Sequence, residues 1–187
     1  MEEVPDASGE KNQVVCQRMI EKSLRNSPTV KFMIEALQKS GCPVTEKFFK
    51  SENCSIEAGG GFVPQIGISI CSNHLQTVTQ GEVDQILTHE LVHAYDHCRA
   101  ANLDWSDCQH HACSEIRAAN LSGDCKWTLE LLRGHTNIRQ QQQVCVRRRA
   151  QLSVAMNPHC SEGDAKKAVD AVWKTCYEDT KPFDRAP

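Results

Sequence analysis

The amino-acid sequence predicts a mostly helical α+β fold with a small sheet, stabilised by disulfides. Apolar residues recur at helical spacing along most of the 187-residue chain, and one segment of alternating apolar residues precedes the helix that contains Thr88–Cys98. The chain also contains 11 cysteines. At this length a single core can be buried. We therefore expect a disordered, acidic N-terminus over residues 1–11 and one domain over 12–187.

The N-terminal half should contain two helices and one strand. A helix is expected over residues 12–25, and a second over 29–41, ended by Gly41. The apolar face of the first helix should contain Val15, Met19 and Leu24, with Cys16 on the same side. Gly59–Pro64 has the composition of a turn or mobile loop. After it, period-two alternation predicts a strand at Ile66, Ile68 and Ile70. That strand could hold an extended peptide along its edge or be a plain core strand, and the sequence leaves both open.

The pentapeptide His89-Glu90-Leu91-Val92-His93 lies in the next predicted helix, which a capping box at Thr79 and Glu82 should start near Gly81. Histidines four residues apart share one helix face, so both imidazoles can bind one zinc ion. Glu90 is placed beside such a metal, which suits a general base that activates water. The pattern alone arises by chance in roughly a few per cent of such chains. A buried stripe in the same helix favours the zinc site: Val83, Ile86, Leu87, Leu91, Ala94 and Cys98.

A third zinc ligand is expected on the following helix, which Ser106 or Asp107 can cap and Gly123 ends. Glu115 borders the apolar face of this helix, where a carboxylate is costly to bury unless it is paired or ligated. Two histidines and one glutamate form a known catalytic zinc set. We predict Glu115 as the third ligand, with His111 as the alternative.

Three nearby residues fit a metal site less well. His97 is eight residues from His89, about 12 Å along a straight helix, so both could not bind one ion with His93. Asp96 is expected to orient a ligand or to cap a helix end. His110 is expected at the surface.

Charge and cysteine content restrict the compartment and the partners. The net charge of -3 gives no global indication of nucleic-acid binding. The cysteines indicate several disulfides with at least one thiol left over, because their number is odd. The acidic first residues do not resemble a secretory signal, and no segment is apolar enough to span a membrane. The mitochondrial intermembrane space and a reduced cytosolic or nuclear location both remain open.

The remainder of the chain predicts three helices, at about residues 126–134, 137–156 and 164–177. Cys145, Cys160 and Cys176 lie where they could link these helices. Arg147–Arg149 has two interpretations: a solvated charge run, or a contact with anionic lipid head groups.

Two motifs, His89–Arg99 and His110–Asn120, resemble one specific family. It is the mitochondrial inner-membrane metalloprotease family that processes an ATP synthase membrane subunit and assists its assembly, some members of which are called Ku-binding proteins. The similarity extends from about Val14 to Phe183 and includes Cys145–Arg149 and Lys181–Asp184.

The resemblance implies a zincin-like metalloprotease domain over 12–187, with zinc on His89 and His93 and Glu90 as the catalytic residue. It also implies a protein that is peripheral on the inner membrane, on its intermembrane-space side, with oxidised cysteines. A precursor protein, expected to be an ATP synthase membrane subunit, would be its partner. The alternative is a non-proteolytic assembly chaperone or Ku-interaction module with a vestigial zinc site, although such a scaffold would not need Glu90.

Overall fold

The computed structural model describes residues 7–55, 58–74, 78–132, 134 and 140–187. Within these residues it contains seven α-helices and a three-stranded sheet, which confirms the mostly helical fold class with a small sheet. The chain divides into two compact units, Met1–Tyr95 and Asp96–Pro187. The expectation of a single metalloprotease domain over 12–187 stays a prediction.

The first unit opens with helices α1, Ala7–Asn26, and α2, Pro28–Lys39. Helix α1 begins five residues before the predicted start at Asn12, so residues 7–11 are helical rather than disordered. Glu10 in the first turn favours this start, because a carboxylate there interacts well with the helix dipole. Residues 1–6 lie outside the described part. Of the predicted apolar face, Cys16 is buried but Val15 is exposed, and Ile20 is the other fully buried apolar residue of α1.

The sheet contains strands β1 (Phe49–Glu52), β2 (Gly60–Val63) and β3 (Gly67–Cys71), in the order β1-β3-β2. β3 pairs parallel with β1 and antiparallel with β2. Both edges of β3 are therefore occupied, and Ile68 and Ile70 are fully buried. The plain core strand is thus the correct interpretation of β3, and the peptide-binding edge is excluded for it.

Strand β2 falls where the sequence predicted a turn or mobile loop. A Cβ atom at Gly60 would lie 2.7 Å from the carbonyl oxygen of Ser69 and 3.1 Å from the side chain of Ile86. Glycine is therefore needed for the close approach of β2 to β3 and to Ile86. The disulfide between Cys54 and Cys71 ties the end of β3 to the segment that follows β1.

The second unit is helical in its described residues. Its elements are α4 (Cys108–Leu121), α5 (Trp127–Leu132), α6 (Gln141–Ala155) and α7 (Glu162–Glu178), which confirms the predicted helices with small shifts at their ends. Helices α4, α6 and α7 pack against one another around a small apolar core. Its main members are Ala112, Ile116, Ala119, Val146, Ala150, Val154, Ala165 and Val169.

Disulfides stabilise the second unit, as the cysteine content predicts. The pairs are Cys108–Cys160, Cys113–Cys176 and Cys125–Cys145. Two of them join α4 to later parts of the chain. Ten of the 11 cysteines are disulfide-bonded, and the remaining one, Cys16, is a buried thiol.

Candidate metal centre

Helix α3, Gln80–Arg99, presents the His-Glu-x-x-His motif. The predicted capping box is present: the Thr79 backbone N–H donates to the Glu82 carboxylate at 2.7 Å, and the Glu82 N–H donates to the Thr79 hydroxyl at 3.3 Å. These two bonds satisfy amide groups at the start of the helix, where no helical acceptor is available. The helix therefore begins within one residue of the predicted Gly81.

The first unit brings His89 and His93 together. Their ring centroids lie 4.8 Å apart, with the ring planes at 77°. His93 and Glu90 are buried, and His89 is half-buried. Two neighbouring imidazoles beside a buried carboxylate provide two nitrogen donors and one proton acceptor within a single helical turn.

Glycine-rich β2 packs beside this helix, one turn before the motif. Cβ atoms at Gly59 and Gly60 would lie 3.0 Å and 3.1 Å from the Ile86 side chain. Ile86 precedes His89 by three residues and Glu90 by four, so it shares their side of α3. The backbone of β2 thus lies close to the face of α3 on which the motif stands.

In the second unit, α4 positions Glu115. The helix begins at the predicted cap, where the Asp107 carboxylate accepts hydrogen bonds from the N–H groups of Gln109 and His110. Glu115 is only 5% exposed, which agrees with its predicted place beside the apolar face. Its Oε1 accepts a hydrogen bond of 2.6 Å from the Ser153 hydroxyl and lies 3.3 Å from Nε2 of His111.

The three other candidate residues, His97, His110 and Asp96, form hydrogen bonds with other groups. Nδ1 of His97 accepts from the Trp105 indole N–H at 3.4 Å. His110 is exposed, as expected, and its Nδ1 accepts from the backbone N–H of Asp104. Asp96 is buried, and the partners described below place it in an ion-pair network.

Asp96 accepts from Nε of Arg117 at 2.9 and 3.0 Å, from Nε of Arg99 at 3.1 Å and from the Ser114 hydroxyl at 3.0 Å. Burial raises the pKa of the Asp96 carboxyl, and both arginines oppose that rise. Arg117 is 1% exposed and also bonds Asp179 and the carbonyl oxygen of Lys181. This network anchors residues 179–181 to α4.

Each residue of the Arg147–Arg149 run has an acidic partner. Arg147 pairs with Asp170 at 2.7 Å and lies over the Trp173 ring, Arg148 pairs with Glu130 and Arg149 with Asp124. The charges of the run therefore form ion pairs within the protein, and the contact with anionic lipid head groups stays a prediction.

The chemistry of the predicted donors fits a metal ion. Two imidazoles and one carboxylate form a donor set of catalytic zinc sites, and a buried carboxylate is stabilised by a cation. His89, His93 and Glu90 needed only the local motif for their prediction. Ser153 and Arg117 were not predicted, because the residues next to them in the sequence give no signal of the distant groups that they bond.

Comparisons with known proteins agree on one family. The model of the peptidase M76 family matches residues 14–184. The human protein named "Mitochondrial inner membrane protease ATP23 homolog" is 43% identical over 92% of this chain and 70% of its own length. The Meyerozyma guilliermondii protein named "Mitochondrial inner membrane protease ATP23" is 46% identical over 85% of this chain and 65% of its own length. The Xenopus laevis relative is 42% identical over 92% of this chain and 73% of its own length.

No solved structure matches the chain. Among the described residues, none of the helices combines the length and apolar character that a membrane span requires.

Proposed function

The chain belongs to the peptidase M76 family, and from this premise we propose that it is a zinc-dependent metalloendopeptidase of the mitochondrial inner membrane, on the intermembrane-space side. Its relatives carry the name of a mitochondrial inner membrane protease. We further propose that it processes a precursor protein, expected to be an ATP synthase membrane subunit, and assists ATP synthase assembly.

The observation that carries the enzymatic proposal is the intact motif on α3. His89 and His93 would hold zinc, and we propose Glu115 as the third ligand, since two histidines and one glutamate form a known catalytic zinc set. A zinc ion there would supply a Lewis acid that polarises the scissile peptide carbonyl. Glu90, buried one residue from His89, accepts a proton from the attacking water and can return it to the leaving amine.

The disulfides support the proposed compartment. Ten disulfide-bonded cysteines indicate an oxidising environment, since cytosolic thiols are kept reduced. Thiol counting on protein isolated from mitochondria should find one free thiol. If most of the 11 cysteines were free, the result would instead support a reduced compartment and an interaction module.

The test of the enzymatic proposal compares Glu90→Gln with His89→Ala. General-base catalysis contributes about 10²–10⁴-fold, so Glu90→Gln should lower cleavage of the precursor by at least that factor while zinc stays bound. His89→Ala should lose both zinc and cleavage. Precursors that accumulate when Glu90→Gln replaces the wild type in mitochondria would identify the substrate.

Cleavage by Glu90→Gln at the wild-type rate would refute the assignment of the base. Normal ATP synthase assembly with both variants inactive in cleavage would show that the assembly role does not depend on proteolysis.

A further inference from the structure

The Glu115 carboxylate is held by two donors that reach the same oxygen. The Ser153 hydroxyl on α6 donates to Oε1 at 2.6 Å, and Nε2 of His111, one helical turn before Glu115, lies 3.3 Å from that oxygen. Two donors from different helices define both the position and the plane of a carboxylate. His111 is 17% exposed at its side chain and Glu115 6%, so the arrangement is largely shielded from water.

The protonation pattern of His111 follows from Asn157. The Oδ1 atom of Asn157 accepts a hydrogen bond from the backbone N–H of His159 at 3.0 Å, which fixes the orientation of the Asn157 amide. Nδ2 then donates to the carbonyl oxygen of Trp105 at 2.8 Å and to Nδ1 of His111 at 3.0 Å. Because Nδ1 accepts, the ring proton of neutral His111 sits on Nε2, which faces Glu115.

The contrast with Asp96 indicates what this arrangement does. Asp96 is buried to a similar degree in the same unit, but its charge is compensated by Arg99 and Arg117. The Ser153 hydroxyl is an uncharged donor, so its hydrogen bond orients the Glu115 carboxylate without neutralising it. Hydrogen bonds that orient a carboxylate in this way are typical of the outer partners of metal ligands.

We propose that Ser153 and His111 are positioning residues for the Glu115 carboxylate, and that Asn157 sets the His111 tautomer that this task requires. The inference rests on the proposed function, since it assumes that Glu115 is a zinc ligand. It also answers the choice left open by the sequence: His111 supports Glu115 rather than replacing it. Outer hydrogen-bond partners of metal ligands typically affect metal affinity about 10–100-fold.

The test measures zinc affinity by competition with a chelator, in oxidised protein. Ser153→Ala should weaken zinc binding about 10–100-fold, and Ser153→Thr, which keeps the hydroxyl, should restore most of it. His111→Ala should weaken binding by a smaller factor, because its contact is longer. The matched control is Ser114→Ala, which removes a hydroxyl that donates to the buried Asp96 carboxylate from the same helix as Glu115. This control should change zinc affinity by less than about twofold.

A double-mutant cycle separates positioning from a general structural effect. In a Glu115→Ala background, Ser153→Ala should have no further effect on zinc affinity, since its action passes through the carboxylate. The melting temperature of zinc-free Ser153→Ala identifies a variant that simply fails to fold. In that case Ser153→Cys, close in size but a weaker donor, takes its place in the same cycle.

The outcomes distinguish this inference from the proposed function. Wild-type zinc affinity for folded Ser153→Ala, together with a large loss for Glu115→Ala, overturns the positioning role alone. Unchanged affinity for Glu115→Ala overturns the ligand assignment itself. Loss of zinc on His111→Ala to the extent seen for His89→Ala, with Glu115→Ala unaffected, would make His111 the ligand.

Discussion

Replacing Arg117 by methionine tests the buried network on α4. The Arg117 side chain is 1% exposed, and its Nε contacts both oxygens of Asp96, while Nη1 pairs with Asp179 at 2.9 Å. Methionine keeps much of the apolar stem but leaves Asp96 buried without its principal partner. Removing one member of a buried ion pair costs about 3–5 kcal/mol.

That cost is large relative to a total stability of about 5–15 kcal/mol for a protein of this kind. It corresponds to a decrease in melting temperature of about 6–20 °C for a chain of this size. Urea unfolding of the oxidised, zinc-free protein, followed by far-ultraviolet circular dichroism, measures the free energy directly.

Arg99 offers a matched control, because it contacts the same two carboxylates while 32% of its side chain is exposed. Because the Arg99 head remains partly in water, Arg99→Met should destabilise the protein by clearly less than Arg117→Met. The double variant Asp96→Leu/Arg117→Met should recover part of the loss, since it removes both buried charges. An Arg117→Met protein within about 1 kcal/mol of the wild type would refute the reasoning.

Four further predictions concern acid, the free thiol, the disulfides and the removal of zinc. Partial burial alone would raise the pKa of Asp179, but the Arg99 hydrogen bond and the Arg117 charge hold that pKa below its ordinary value. The ionised Asp179 carboxylate therefore stabilises the protein above about pH 4, and this contribution is lost as pH falls through the lower folded pKa. The free energy of unfolding, measured with urea below about pH 4, should therefore fall more steeply with pH for the wild type than for Asp179→Asn. Burial raises the pKa of the Cys16 thiol, so iodoacetamide should label it only after unfolding, and rapid labelling of the native protein would contradict this. The Cys113–Cys176 and Cys125–Cys145 disulfides join residues 63 and 20 positions apart, which corresponds to about 4.3 and 3.3 kcal/mol of loop-closure entropy. Removal of the Cys113–Cys176 disulfide should therefore lower the free energy of unfolding by about 1 kcal/mol more than removal of the Cys125–Cys145 disulfide. Because the disulfides constrain the unfolded chain, chelation of zinc should leave the oxidised protein folded.

The parts of the fold that local chemistry determines were predictable from the sequence. The Thr79–Glu82 capping box, the Asp107 cap and the alternation that became β3 each depend on residues within a few positions of one another. The same holds for the two histidines, since a four-residue spacing on a helix fixes their common face.

The predictions that were wrong or missing concern residues whose partners are distant in the sequence. Gly60–Val63 forms a strand because the main chain must pass within contact distance of Ser69 and Ile86, which glycine alone permits. Ser153 finds Glu115 across 38 positions, and Arg117 reaches Lys181 across 64. The sequence predicted that Glu115 is buried, but it could not predict the groups that orient the carboxylate.

The two disulfides of α4 have a consequence for the order in which the chain matures. A ribosome or an import channel delivers the His89–His93 motif well before Cys160 and Cys176, the partners of Cys108 and Cys113. The helix that carries Glu115 thus acquires its covalent anchors only when nearly the whole chain has emerged. On the zinc ligands proposed above, we expect an unfinished chain to hold the motif before its third ligand is covalently secured, so zinc binding matures only when synthesis or import is almost complete.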